Sequence, residues 1–193
     1  MDQKAKILEV TLNIIKEDGF NSLTVRKIAK DAKVNVAMIN YYFGSKGNLL
    51  NQVIAIILDN FKESFIYLDD LSRPPIERIK RFLKSYAEIC YKNKSTIRVF
   101  MLNGAFEYLS QREYFAFIKS FGFHKVTEIM GEIASEENEQ RQAMIALQII
   151  GAIIFPTVML DAINAEFKVE DSLWDKYSKA PLSMNTLIVD LFL

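Results

Sequence analysis

The chain has 193 residues, 50% of them hydrophobic, and its 24 lysines and arginines balance 24 aspartates and glutamates. That length allows one large or two small domains with a substantial core, and zero net charge argues against a generic nucleic-acid coat. The single cysteine, Cys90, excludes an intrachain disulfide and points to a reducing compartment, here taken as the cytoplasm.

Glycine (7) and proline (4) are scarce while Ile, Leu, Lys, Glu and Ala are plentiful, which favours an all-helical protein. The opening MDQKAKILEV is charged and amphipathic, without a signal-peptide core or cleavage site. Charge is unevenly placed: residues 1–50 hold 8 basic against 5 acidic side chains, and residues 51–193 hold 16 against 19. A basic head on an acidic body suits a head that meets phosphate.

In chain order, a first helix is expected from Asp2 to Asp18, with Leu8, Leu12 and Ile15 forming an apolar stripe beside Ala5 and Ile7, and Gly19 ending it. Thr24 is placed to cap a second helix, Val25 to Ala32, and Asn35 a third, Val36 to Tyr42. Ser45 caps a long fourth helix from Lys46 to about Leu68. Pro74-Pro75 breaks the chain and starts a fifth helix reaching about Tyr91. Lys92 to Ser95 reads as a turn, with Ser95 capping a sixth helix to about Gly104. An aromatic-rich stretch over 106–123, continuing as helix to 134, is followed by a turn at Glu136-Glu137-Asn138 and a long helix from Glu139 to Ala165. Residues 166–182 are polar and mixed, and Ser183 caps a last helix ending at Leu193. No repeat or strand is evident.

Residues 143–160 carry no charge, the length of a minimal membrane span. The window contains Gln148, Pro156 and Thr157 and lacks flanking basic residues or tryptophan, so a helix buried in a core or interface is the expectation. A membrane-tethered protein is the alternative.

The stretch from Val25 to Phe43 packs two short helices around a three- to four-residue connection, the spacing of a helix-turn-helix. Ala29 is small where the second helix approaches closely. On a helical wheel Val36, Ile39 and Phe43 share one side and are expected to face the first two helices, with Tyr42 nearer the core. Ala37 and Tyr41 point the opposite way, flanked by Met38 and Asn40. Such an exposed face does nothing for the fold but suits a major groove: Asn bonds a base edge, Ala and Met pack on a thymine methyl, and Tyr hydroxyls reach phosphate or base. Arg26 can reach guanine or phosphate, and Thr24 and Lys46 lie at helix N-termini, where phosphates are held.

These residues, Gly19-Phe20, Leu23 to Ala29, Ala32 to Val34 and Ile39 to Lys46 with Leu49, resemble the N-terminal domain of the TetR family of bacterial transcriptional regulators. The resemblance covers about residues 5–50. It implies that the third helix is the recognition helix and that Thr24, Arg26, Val36, Ala37, Met38, Asn40, Tyr41, Tyr42 and Lys46 occupy DNA-contact positions. It also implies a dimer placing one head in each of two successive major grooves of a pseudo-palindromic operator, without a cofactor. Four departures stand out, of which Asn35 in place of the commoner Ser/Thr cap should cap equally well. Lys33 replaces the usual turn glycine, a strain of roughly 1 kcal/mol if left-handed, offset by a phosphate contact. Asn40 replaces a frequent tyrosine, so base preference cannot be copied from a relative, and Gly47 replaces a usual glutamate.

The expected architecture is therefore an all-α protein of about nine helices. Residues 1–48 form a three-helix helix-turn-helix head, and residues 49–193 form a larger helical ligand-binding and dimerisation bundle. By the family's layout the dimer seam would use 139–165 and 183–193, with Gly151, Ala152 and Ile153 allowing close approach. Candidate ligand-binding residues are Phe65, Tyr86, Phe100, Met101, Tyr114, Phe117, Phe121, Met144, Gln148 and Phe155, with Phe61, Tyr108, Ile118 and Leu147 in the same set. They suggest a small apolar or amphipathic ligand with few polar handles, Gln148 and Tyr86 foremost. Catalysis and metal binding find no motif: His124 and Cys90 are the only residues of their kinds, and Glu136, Glu137 and Glu139 read as a solvated helix start. An all-helical apolar-ligand carrier or enzyme with a vestigial head is the competing class.

Overall fold

The computed structural model describes residues 2–103, 108–135 and 138–167. Among them are nine α-helices and no strand: α1 (Gln3–Asp18), α2 (Val25–Ala32), α3 (Val36–Phe43), α4 (Lys46–Ser64), α5 (Pro75–Lys92), α6 (Lys94–Asn103), α7 (Leu109–Phe117), α8 (Phe123–Ala134) and α9 (Glu139–Phe167). The expected helix over 183–193, and the residues Gly104, Glu136 and Glu137, lie outside the described residues. The chain divides into two compact units, one of residues 1–59 with 93–114, the other of 60–92 with 115–193.

In the first unit the stripe of α1 is shifted from the expected one. Ile7, Thr11, Ile14 and Ile15 are the buried positions, Leu8 and Leu12 only border the core, and Ala5 is exposed. Thr11 is tolerated inside because its hydroxyl donates to the Ile7 carbonyl at 2.7 Å, so no polar atom is stranded. Ile28, Ala29 and Ala32 of α2, Ile39 and Phe43 of α3, and Leu49, Leu50 and Val53 of α4 close the same core. The segment 93–114 belongs to this unit: α6 lies along α1, Tyr108 packs edge-on to Phe20 with ring centroids 6.4 Å apart, and the Ser110 amide donates to Asn51 Oδ1 at 3.0 Å. The turn before α6 is shorter than expected. Asn93 alone separates it from α5, and Ser95 sits inside the helix rather than capping it.

In the second unit the α-helical geometry of α4 ends at Ser64, four residues before the expected Leu68. The Ser64 hydroxyl bonds back to the Phe61 carbonyl at 2.6 Å, and the chain tightens into a 3-10 turn over Phe65–Asp69. Arg78, only 8% exposed, pins that turn by donating to the Leu68 carbonyl at 2.9 Å and to Glu132 of α8 at 3.0 Å. Phe65 packs on Phe82 at 4.8 Å and on Phe117 at 5.2 Å, and Phe61 on Tyr86 at 4.8 Å. Between α7 and α8 the backbone widens into a π turn over Ile118–Gly122. Glycine is required at its end, because a Cβ on Gly122 would lie 2.9 Å from two atoms of the Phe65 ring.

Helix α9 continues through Pro156 and is two-faced rather than wholly buried. Ala146, Ile149 and Ile153 are buried, while Met144, Leu147, Gly151 and Phe155 are exposed. Among the described residues no helix is long and apolar enough to cross a membrane.

Gly122→Ala is expected to cost about 1–3 kcal/mol, because an aromatic ring rather than a flexible chain end must give way. Urea unfolding compared with wild type measures it.

Candidate nucleic-acid interface

The head is assembled by local rules that fix where its exposed residues stand. The hydroxyl of Thr24 accepts from the Lys27 amide at 3.1 Å and so caps α2. Asn35 Oδ1 accepts from the Ala37 amide at 2.9 Å and caps α3, and Ser45 Oγ accepts from the Asn48 amide at 3.1 Å at the start of α4. Between α2 and α3 the chain turns through Lys33 at φ 55°, ψ 46°. The Val34 amide bonds to the Ala29 carbonyl at 2.9 Å and the Lys33 amide to the Lys30 carbonyl at 3.1 Å, a Schellman closure. Lys33 is thus left-handed, and a side chain there carries a strain of roughly 1–2 kcal/mol. After α3, Gly44 at φ 74° takes the other positive-φ position of the motif, its amide on the Asn40 carbonyl at 2.8 Å.

Helix α3 buries Ile39 (0% exposed) and Phe43 (4%) and leaves Ala37, Asn40 and Tyr41 exposed, Tyr41 at 83%. Met38 is half-buried beside them. Val36 departs from the expected arrangement. It is exposed rather than turned to the core, and of α3 only Ile39 and Phe43 are buried in the packed interior. Tyr42 is half-buried against the head core and makes edge contacts with Tyr41 at 5.2 Å and Phe43 at 6.3 Å. Its ring therefore braces the exposed Tyr41.

Some cations of the head are engaged and others are not. Lys27 pairs with Asp18 at 2.9 Å, and that carboxylate holds its ammonium above the ordinary lysine value. Lys46 donates to the Leu23 carbonyl at 2.5 Å, and the Lys4 ammonium lies 5.8 Å from the Phe43 ring centroid. Arg26, Lys30 and Lys33 are exposed, and no ion pair or side-chain hydrogen bond engages them among the described residues. The Lys46 link was not legible in the sequence: it joins residues 23 apart, and no local pattern signals it.

The expected ligand set is dispersed. Phe65, Tyr86, Phe117 and Phe121 share the aromatic cluster of the second unit. Tyr114 is buried in the first unit, and Tyr108 borders the head core. Met144, Leu147, Gln148 and Phe155 lie on the exposed side of α9, away from the cluster, because Ala146, Ile149 and Ile153 take the inward positions. The side chains of Phe100 and Met101 lie outside the description. Cys90 is 1% exposed and His124 exposed, and burial pushes the Cys90 thiol from about 9.0 up to about 12, so no thiolate is available near neutrality.

Two outcomes follow for solution work. Thr24→Ala or Asn35→Ala removes a cap and costs about 1 kcal/mol, whereas Tyr41→Ala stays within about 0.5 kcal/mol; thermal melts separate the two classes. Cys90 resists a thiol reagent until the chain unfolds. Because its folded pKa is raised, the stability it contributes is fully present below the unfolded value near 9.0 and is lost as pH climbs toward about 12. Urea midpoints taken across that window, with Cys90→Ala as reference, check the sign.

With the geometry in place, comparison with known proteins is direct. The profile of bacterial regulatory proteins of the tetR family matches residues 7–53, which is α1 through the first turns of α4. A probable HTH-type transcriptional regulator, YttP of Bacillus subtilis, is 38% identical over 61 residues, 32% of this chain and 30% of its own. The HTH-type transcriptional regulator HbdR of Aromatoleum is 24% identical over 88 residues, 46% of this chain and 38% of its own. The matched region thus spans about a third of the length of these curated relatives. Whole-chain likeness comes from solved structures. A TetR-family regulator from Marinobacter aquaeolei superposes with a TM-score of 0.71 at 15% identity, covering 100% of this chain and 92% of that one. The regulator FadR of Bacillus subtilis in complex with stearoyl-CoA does so with a TM-score of 0.64 at 16% identity, covering 97% and 96%. Over residues 7–53, the helices that carry its exposed face, this chain matches the tetR family of bacterial regulatory proteins.

Proposed function

We propose that the protein is a cytoplasmic, ligand-responsive transcriptional repressor that binds a pseudo-palindromic operator as a homodimer. Residues 1–48 read DNA, and residues 49–193 bind ligand and dimerise. The observation that carries the reading is the exposed face of α3: Tyr41 at 83% exposure with Ala37, Asn40 and Val36 beside it, on a helix held by two deeply buried anchors. A face that adds nothing to the core, flanked by capped helix N-termini and free cations, fits a major groove. Ala37, Met38, Asn40 and Tyr41 meet base edges. Thr24, Arg26, Val36 and Tyr42 lie toward the backbone, and Lys46 braces the start of α2 while its remaining donors face phosphate.

The exposed apolar side of α9 supports the dimer. Met144, Leu147 and Phe155 are each more than half exposed, and nothing lies within 4 Å of a Cβ built on Gly151, so a second copy can approach the bare backbone. Phe65, Tyr86, Phe117 and Phe121 support an apolar or amphipathic ligand, for which stearoyl-CoA, held by a fold neighbour, is a fitting first probe. Ligand in the bundle favours a head spacing that no longer matches successive grooves. DNA in turn weakens ligand binding by the same factor. No side chain is assigned a catalytic role.

Titration into labelled DNA from upstream of the protein's own gene, beside a scrambled duplex and at several salt concentrations, tests the reading. Sequence-specific binding that Asn40→Ala and Tyr41→Ala abolish, with melting unchanged, is the expected result. Equal, weak binding to both duplexes that vanishes with salt contradicts it.

A further inference from the structure

The turn between α2 and α3 holds a residue that the fold alone does not favour. Lys33 is left-handed at φ 55°, a conformation glycine adopts freely and an L side chain does not. Its backbone makes the Schellman bonds that glycine would make equally well. Its side chain is exposed and engages no partner among the described residues, so nothing local repays the strain.

Helix-end electrostatics is a weak explanation, since Lys30 already places a cation in the last turn of α2. Nor does the left-handed geometry itself call for charge: Ser135 adopts it at φ 51° at the end of α8. What sets Lys33 apart is its place two residues before the Asn35 cap of α3, in a stretch, 24–46, with five cations and one carboxylate. A flexible four-carbon stem rooted beside the N-terminus of α3 carries an ammonium that is free to meet an anion next to that helix.

We propose that Lys33 is a phosphate contact that fixes the register of the head on DNA, and that the strained turn is kept for the reach of its ammonium. This rests on the DNA-binding reading above. A phosphate contact carries no base preference, so it acts equally on all duplexes.

The test uses the full chain and the same two duplexes, with Lys33→Gly, Lys33→Asn and Lys33→Arg measured from low to moderate salt. Glycine relieves the strain, asparagine tolerates it without charge, and arginine keeps the charge. Lys33→Gly and Lys33→Asn are expected to weaken both duplexes by the same factor. They should also flatten the plot of log affinity against log salt by about 0.9 per head, roughly 1.8 for a dimer. Lys33→Arg keeps the wild-type slope, and Lys33→Gly melts no lower than wild type, so unfolding does not explain the loss. A Lys33→Gly protein with the wild-type slope and affinity overturns the proposal while leaving the DNA-binding reading intact, as does a loss confined to the specific duplex. A wild-type protein without salt-dependent affinity for either duplex overturns the reading and the proposal together.

Discussion

Everything in the head depends on one constraint: α3 has eight residues, too few to hold itself together in water. Its stability is borrowed through Ile39 and Phe43, which enter a core built by α1, α2 and α4. Two anchors four residues apart leave the other faces of the helix free of structural duty. That freedom leaves Tyr41, Asn40 and Ala37 exposed, as the proposed DNA reading requires. The surrounding devices, the Thr24, Asn35 and Ser45 caps and the positive-φ turns at Lys33 and Gly44, all serve to present those two turns at one angle.

The head was legible because its signals are local. Caps precede helices by a fixed step, the turn residue follows Ala32 at once, and anchors repeat at helical spacing, so α2 runs over the expected residues and α3 ends one residue beyond them. Where the sequence misled, competition between equivalent positions was the cause. Leu8 and Leu12 look like better core residues than Thr11, yet the threonine is inside because its hydroxyl finds a carbonyl on its own helix. Val36 looks like an anchor, yet it stands in the first turn, beyond the reach of the packed interior. The partners of Lys46, of Asn51 and of Tyr108 lie 23, 59 and 88 residues away, and no periodicity records such meetings.

The bundle was less legible for a related reason. Apolar residues surround α9, and a pattern without contrast does not say which side faces inward. The structure chooses Ala146, Ile149 and Ile153, which leaves Met144, Leu147 and Phe155 outside and removes them from the aromatic cluster with which composition had grouped them. The π turn was equally hidden: Gly122 reads as an ordinary helix residue until the Phe65 ring is found against it.

Net charge is a poor guide to how such a head meets an anion. The whole chain is neutral, and residues 1–50 exceed neutrality by only three charges. Yet Lys27 is neutralised by Asp18, and Lys46 is tied to a backbone carbonyl. On α2 and its end turn, Arg26 near the start and Lys30 and Lys33 at the end are exposed and engage no ion pair or side-chain hydrogen bond among the described residues. They bracket α2, the helix that precedes the exposed face of α3. Salt screens charges beyond a Debye length of roughly 8 Å, so cations clustered on one helix count for more at a nearby anion than charges spread over the rest of the chain. Placement, more than the sum of charges, makes a basic head of a neutral protein.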